Sequence, residues 1–149
     1  MGKPPKPLPP FDLCDIYYKY DSASGLIIRK IDTGNGKYKK GELAGGPHGK
    51  KGEQYLRVWV NSQPIRAHRL AWLLHHGEDP GIDFVVDHID GNRFNNRIKN
   101  LRLATLEENN RNRKRGINNT SGFKGVYVTR LENFPYCARI NINRIDKYL

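Results

Sequence analysis

The stretch FVVDHIDGNRFNNRIKNLRLATLEE, residues 84–108, constrains the fold of this chain more than any other. FVVDHI reads as a short apolar strand ending at an Asp90-Gly91 step, a pair that favours tight turns. LRLA, residues 101–104, reads as its returning partner. Thr105 followed three residues later by Glu108 makes a capping box, so a helix is expected to begin near Leu106 and to stop at Gly116. Strand, long turn, strand and capped helix therefore fall within residues 84–115. Within residues 87–100 only Ile89, Phe94 and Ile98 are strongly apolar, and four of the nine residues 92–100 are asparagine. Burial does not explain such a segment.

The remainder sorts around this unit. MGKPPKPLPP, residues 1–10, holds five of the nine prolines and is expected to be an extended, disordered arm. FDLCDIYYKY (11–20) suits a short helix and LIIRKI (26–31) a strand, with a Gly- and Lys-rich loop from Thr33 to Gly52. YLRVWV and IRAH flank NSQP as a hairpin. AHRLAWLLHHG follows as a helix with Leu70, Leu73 and Leu74 on one face and Gly77 at its stop. Beyond residue 116, INNTSG reads as a linker, and GFKGVYVTR with FPYCARINI as a hairpin through LEN, with DKYL starting a third strand. The expected fold class is α+β, divided into an arm at 1–10, one domain at 11–115, a linker at 116–122 and a partial domain at 123–149.

Among the 149 residues, 26 Lys and Arg stand against 15 Asp and Glu, a net charge of +11. That excess points to a polyanionic partner, nucleic acid being the commonest, with a ribosome-like or merely soluble basic protein as the plain alternative. Cys14 and Cys137 are far apart and no C-x-x-C pair exists, which argues against a cysteine zinc site and a disulfide scaffold. No apolar run approaches a membrane span and no signal-peptide core is present, so a soluble, cytoplasmic protein is expected.

Phosphodiester hydrolysis needs a base to activate water, a Lewis acid near the departing oxygen and positive charge on the flanking phosphates. His88 can take a proton near neutral pH without extensive tuning. Asp87 is a carboxylate suited to Mg2+ or Mn2+, and Asn109, about one turn into the capped helix, is an acceptable neutral second ligand. Asn100 either holds the His88 imidazole or pins the loop. Neighbours on a regular strand point to opposite faces, so Asp87 and His88 share one phosphate only if the strand bends there.

With these residues in place, DHIDGNRFNNRIKNLRLATLEENNRNRK resembles the HNH endonucleases of the phage and homing type, over roughly residues 15–115. The resemblance implies a small ββα-metal (His-Me finger) core at 84–115. It puts the general base on His88, the ligands of one Mg2+ or Mn2+ ion on Asp87 and Asn109, and the central asparagine on Asn100. It also implies cleavage of double-stranded DNA to 5'-phosphate and 3'-hydroxyl ends, with one site per chain nicking and a dimer or a second visit needed for paired cuts. SGFKGVYVTRLENFPYCARINI resembles the first two strands of an Apetala-type DNA-binding domain, a β-hairpin remnant of a three-stranded sheet.

Each residue also has a plainer reading. Arg93, Arg97 and Lys99 beside the motif, and Arg111, Arg113, Lys114 and Arg115 at the helix end, are either a solvated face or phosphate contacts, and the overall charge favours contacts. Tyr127, Arg130 and Arg139 either face DNA or merely pack. His68 is either a second metal ligand or a structural hydrogen-bonding residue, and His48, His75 and His76 are assigned no catalytic role. Asn95 and Asn96 are expected to satisfy turn backbone. The rival functional class is a catalytically silent DNA-binding or regulatory protein that keeps the nuclease fold.

Overall fold

The computed structural model describes residues 6–112, 118–142 and 145–148. It divides into two units, Met1–Arg111 and Asn112–Leu149. The first mixes helices with small sheets. Helix α1 (Phe11–Tyr17) leads directly into strand β1 (Tyr18–Asp21), which pairs antiparallel with β2 (Leu26–Arg29). A three-stranded antiparallel sheet follows in the order β3 (Gly46–His48), β4 (Tyr55–Val60), β5 (Gln63–Arg66). Its β4–β5 turn carries Asn61 and Ser62 at positive φ, as a two-residue hairpin turn requires.

Helix α2 (Ala67–His76) is closed by Gly77 in the left-handed conformation, whose N–H donates to the Leu73 carbonyl. It packs in two directions. Leu70 and Leu73 join Cys14, Tyr18, Ile27, Val58, Val60 and Ile65 in the main core. Ala71 instead meets Val86 and Leu101 in a second, smaller cluster. A buried leucine of this kind contributes roughly 1.5–3 kcal/mol over an exposed one, so α2 joins both clusters through its own side chains.

The second cluster lies beneath strands β6 (Phe84–His88) and β7 (Leu101–Thr105), which pair antiparallel with Asp87 opposite Arg102 and His88 opposite Leu101. A single 3-10 turn, Ile98–Asn100, precedes β7. Helix α3 (Leu106–Asn112) follows it directly, and its capping box is closed: Thr105 N–H and Oγ1 both donate to Glu108 Oε2, and Glu108 N–H donates to Thr105 Oγ1. Strand, long loop, strand and helix appear in the expected order.

Three segments differ from the sequence reading. The helix expected over 11–20 ends at Tyr17, because Tyr18 and Tyr20 pair across to Arg29 and Ile27. The Gly- and Lys-rich loop contains β3, which pairs with β4. In the expected loose arm, residues 6–8 are tied to the body: the carbonyls of Lys6 and Pro7 accept from Arg69 and Gln63, and Leu8 N–H donates to Asp79.

In the second unit the expected hairpin is a three-stranded antiparallel sheet ordered β10-β9-β8, formed by β8 (Val126–Leu131), β9 (Phe134–Ile142) and β10 (Ile145–Tyr148). The third strand completes a meander rather than leaving a two-stranded remnant. Its residues Ile145 to Tyr148 lie opposite Ile142 to Arg139. No helix among the described residues is long and apolar enough to cross a membrane.

Candidate functional site

The loop between β6 and β7 is built by its polar side chains. Asp90 Oδ1 accepts from Asn92 N–H and from Asn100 Nδ2, and its Oδ2 accepts from Asn95 Nδ2 at 2.7 Å. Asn100 completes the set: its Oδ1 accepts the Asp90 N–H, and its Nδ2 also donates to the Asn95 carbonyl at 2.8 Å. The hydrogen bonds from Asn95, Asn92 and Asn100 hold the Asp90 carboxyl below its usual pKa. Asparagine suits this work because each amide both donates and accepts, so one side chain closes two backbone gaps. Of the two roles open to Asn100, the structure shows the pinning of the loop.

The imidazole of His88 is held by a different asparagine. His88 Nε2 lies 3.0 Å from Asn96 Oδ1, and both side chains are buried, at 6% and 2% exposure. With the amide oxygen as acceptor, this contact favours the tautomer with its proton on Nε2 and its lone pair on Nδ1. Burial pushes the His88 pKa below that of a free imidazole, opposed by the Asn96 hydrogen bond and the charges of Asp90 and Asp87. Asn96 is fixed in turn by its backbone, whose carbonyl accepts from Tyr20 Oη at 2.7 Å. The β1–β2 turn braces the same segment, as Ile98 N–H donates to the Ser22 carbonyl and Arg97 Nε to the Ala23 carbonyl.

Two aromatic side chains complete the surroundings of His88. The His68 ring, from the start of α2, meets it edge to face with centroids 4.9 Å apart, and Tyr55 lies 6.4 Å away. His68 is itself buried, and burial followed by the neighbouring His88 drives its pKa well below the ordinary value. Tyr55 was not singled out by its sequence, and His68, read there as a second metal ligand or a structural residue, packs on the His88 ring; the Asn96 side chain, expected to satisfy turn backbone, meets His88 instead.

Asp87 points away from this cluster. Strand alternation holds through His88, with Val86 and His88 buried and Asp87 between them half-buried on the other face. Its Oδ1 accepts the His88 N–H, and its Oδ2 accepts from Arg102 Nη2 at 3.1 Å. The strand does not bend to bring Asp87 and His88 onto one face. Asn109 lies in α3, and no group of three His, Cys, Asp or Glu side chains capable of holding a metal occurs among the described residues.

The basic candidates are scattered in their surroundings. Arg93 stacks over Tyr55, Arg97 braces the β1–β2 turn through Nε, and Lys99 is exposed. Arg111 reaches Glu107 across one helical turn at 3.8 Å. Arg113, Lys114 and Arg115 lie outside the described residues. In the second unit Tyr127, Arg130 and Arg139 are exposed, and Tyr127 pairs with Cys137.

The HNH endonuclease family model matches residues 66–111, and the mixed strand-and-helix unit that carries the buried His88 imidazole is compatible with such a domain. The match runs from Arg66 at the end of β5 into α3, so it takes in both strands, the asparagine loop and the helix. Protein 3.8 of Escherichia phage T7 is 44% identical over 61 residues, 41% of this chain and 50% of that protein. The chain thus matches about half of the relative's length. No solved structure matches.

Proposed function

We propose that this chain is a metal-dependent endonuclease that hydrolyses phosphodiester bonds in double-stranded DNA, one strand at a time, leaving 5'-phosphate and 3'-hydroxyl ends. The observation that carries the reading is the buried contact between His88 Nε2 and Asn96 Oδ1. With Nε2–H committed to Asn96, Nδ1 holds a lone pair at neutral pH, as a base that takes a proton from water requires. The lowered pKa keeps that nitrogen unprotonated in the physiological range.

Asp87 and Asn109 offer a carboxylate and an amide carbonyl, hard oxygen donors that fit Mg2+ or Mn2+. One ion held by them would supply Lewis-acid stabilisation of the departing oxygen. Arg102 occupies one Asp87 oxygen and Asp87 lies on the face of β6 opposite to His88, so joint action on one phosphate requires the guanidinium to yield and Asp87 to turn toward the His88 face. Arg97, Lys99 and Arg111, with Arg113, Lys114 and Arg115 after α3, are assigned to backbone phosphates. Tyr127, Arg130 and Arg139 are assigned to the DNA-facing side of the second unit, read as an Apetala-type sheet. A phage or homing setting, and a cytoplasmic location, follow from the same reading.

The engagement of both Asp87 oxygens favours a second reading, a DNA-binding protein that keeps the fold without cutting. Incubating supercoiled plasmid with the protein and Mg2+ or Mn2+ separates the two. Open circles that disappear with EDTA and with His88→Ala support the nuclease. Retarded but uncut plasmid with either ion supports the silent binder.

A further inference from the structure

Beside His88 the chain gathers positive charge at a cost to its own folding. In the β3-β4-β5 sheet, Arg57 stands directly opposite Arg66, an arrangement of like charges that destabilises a strand pair. The guanidinium carbons of Arg66 and Arg93 both lie over the Tyr55 ring, 4.5 and 4.7 Å from its centroid. They are therefore no farther apart than the sum of those distances, although Arg93 comes from the asparagine loop and Arg66 from β5. Among the described residues, the ion pairs take in none of Arg57, Arg66 and Arg93. Nη1 of Arg93 is buried with no hydrogen-bond partner. The same Tyr55 ring sits 6.4 Å from the His88 ring.

An anion bound here would balance this charge and take up the Arg93 donor. We propose that Tyr55, Arg57, Arg66 and Arg93 form a clamp for backbone phosphates of duplex DNA next to the bond presented to His88. Guanidinium forks bind phosphate oxygens in pairs, and stacking on one ring fixes their planes before the ligand arrives. The proposal rests on the nuclease reading for its ligand. It adds Arg57, Arg66 and Tyr55 to the DNA-contacting residues and gives Arg93 a defined partner.

The test is equilibrium binding of the full chain to a fluorescent DNA duplex by anisotropy, in EDTA, over a series of salt concentrations. Arg57→Gln, Arg66→Gln and Arg93→Gln are compared with Lys19→Gln, which removes the same charge from an exposed position of β1. Counterion release gives each lost phosphate contact about a fivefold loss at roughly 0.15 M salt and a fall of about 1 in the slope of log affinity against log salt. Each clamp variant is expected to show both, and Lys19→Gln neither. Tyr55→Leu is expected to weaken binding while leaving the slope unchanged, since it removes the platform but no charge. Thermal melts confirm folding, and Arg93→Lys serves where Arg93→Gln does not fold, with weaker binding at an unchanged slope. Slopes in the clamp variants equal to that of Lys19→Gln overturn the clamp. No bond is cut in EDTA, so the two readings fail separately. Unaltered binding with intact plasmid cleavage removes the clamp alone, whereas weakened binding in a chain that never nicks removes the nuclease alone.

Discussion

Asn96 decides how His88 can act, because its buried amide is the hydrogen-bond partner of a buried imidazole. Replacing it by alanine leaves Nε2–H without an acceptor, a loss of about 1–3 kcal/mol. The ring is then free to change tautomer and tilt, and misplacement of a catalytic group by about 1 Å costs on the order of 100-fold in rate. Asn96→Ala should therefore lower both the urea midpoint and plasmid nicking. Asn100→Ala should cost about 2 kcal/mol through its lost loop bonds, with plasmid nicking falling less than for Asn96→Ala. Equal losses of nicking in the two would mean that the imidazole is oriented through the loop as a whole.

The paired histidines make a pH prediction at the same scale. Folding lowers the pKa of both His68 and His88, so the unfolded chain binds more protons as pH falls below about 6.5, the ordinary imidazole value. The native state is then fully favoured above that pH and loses stability as pH falls from it toward the folded values. Asp90 and Glu108, whose pKa values folding also lowers, lose their contribution in a more acidic range, below about 4 to 5. Thermal melts should show stability falling as pH drops below about 6.5, and His68→Gln should flatten that limb. An equally steep limb in His68→Gln would show that His68 protonates without cost. Asp87, His88 and Asn100 were legible because they stand in a local pattern. The placing of His68 and Tyr55 beside His88 was not, since only the packing of α2 and β4 brings them there.

At the scale of elements, local chemistry identified what local chemistry builds. The Asp90-Gly91 turn, the Thr105–Glu108 box and the Gly77 cap each act within a few residues, and all three formed. Strand β3 escaped because Gly46, Pro47 and His48 have little intrinsic preference for a strand, and pairing with β4 places them there. The β1–β2 hairpin shows a long-range dependence of the same kind. Gly25 has φ +79°, and a Cβ there would lie 2.5 Å from Arg97 N and 2.6 Å from the Asn96 carbonyl carbon. These are backbone atoms of the segment that carries the His88 partner, so nothing flexible can move aside. Gly25→Ala should destabilise the chain by more than the roughly 1 kcal/mol usual for an alanine at positive φ and should reduce nicking, although Gly25 touches no catalytic side chain. A variant with unchanged stability and nicking would mean that the turn can withdraw without disturbing the loop.

The two units of the whole molecule carry the charge unequally. Residues 118–149 contribute five basic and two acidic side chains, so a chain ending at residue 117 keeps a net charge of +8 of the original +11. It also keeps both apolar clusters, the asparagine loop and α3, since every residue of those clusters lies before residue 112. In the second unit no residue with a described side chain is buried, so its sheet adds surface rather than core. The shortened chain should therefore melt within a few degrees of the full one and retain metal-dependent nicking, because the base, its anchor and the proposed ligands are all present. What it loses, on the proposed function, is the DNA contact assigned to the second unit. Its affinity for duplex should fall, and the dependence of log affinity on log salt should become shallower by roughly 1 for each phosphate contact removed. Anisotropy titrations of both chains at several salt concentrations check this. Equal affinity and equal slope would remove Tyr127, Arg130 and Arg139 from the DNA interface and leave recognition to the first unit, where the uncompensated arginines surround Tyr55.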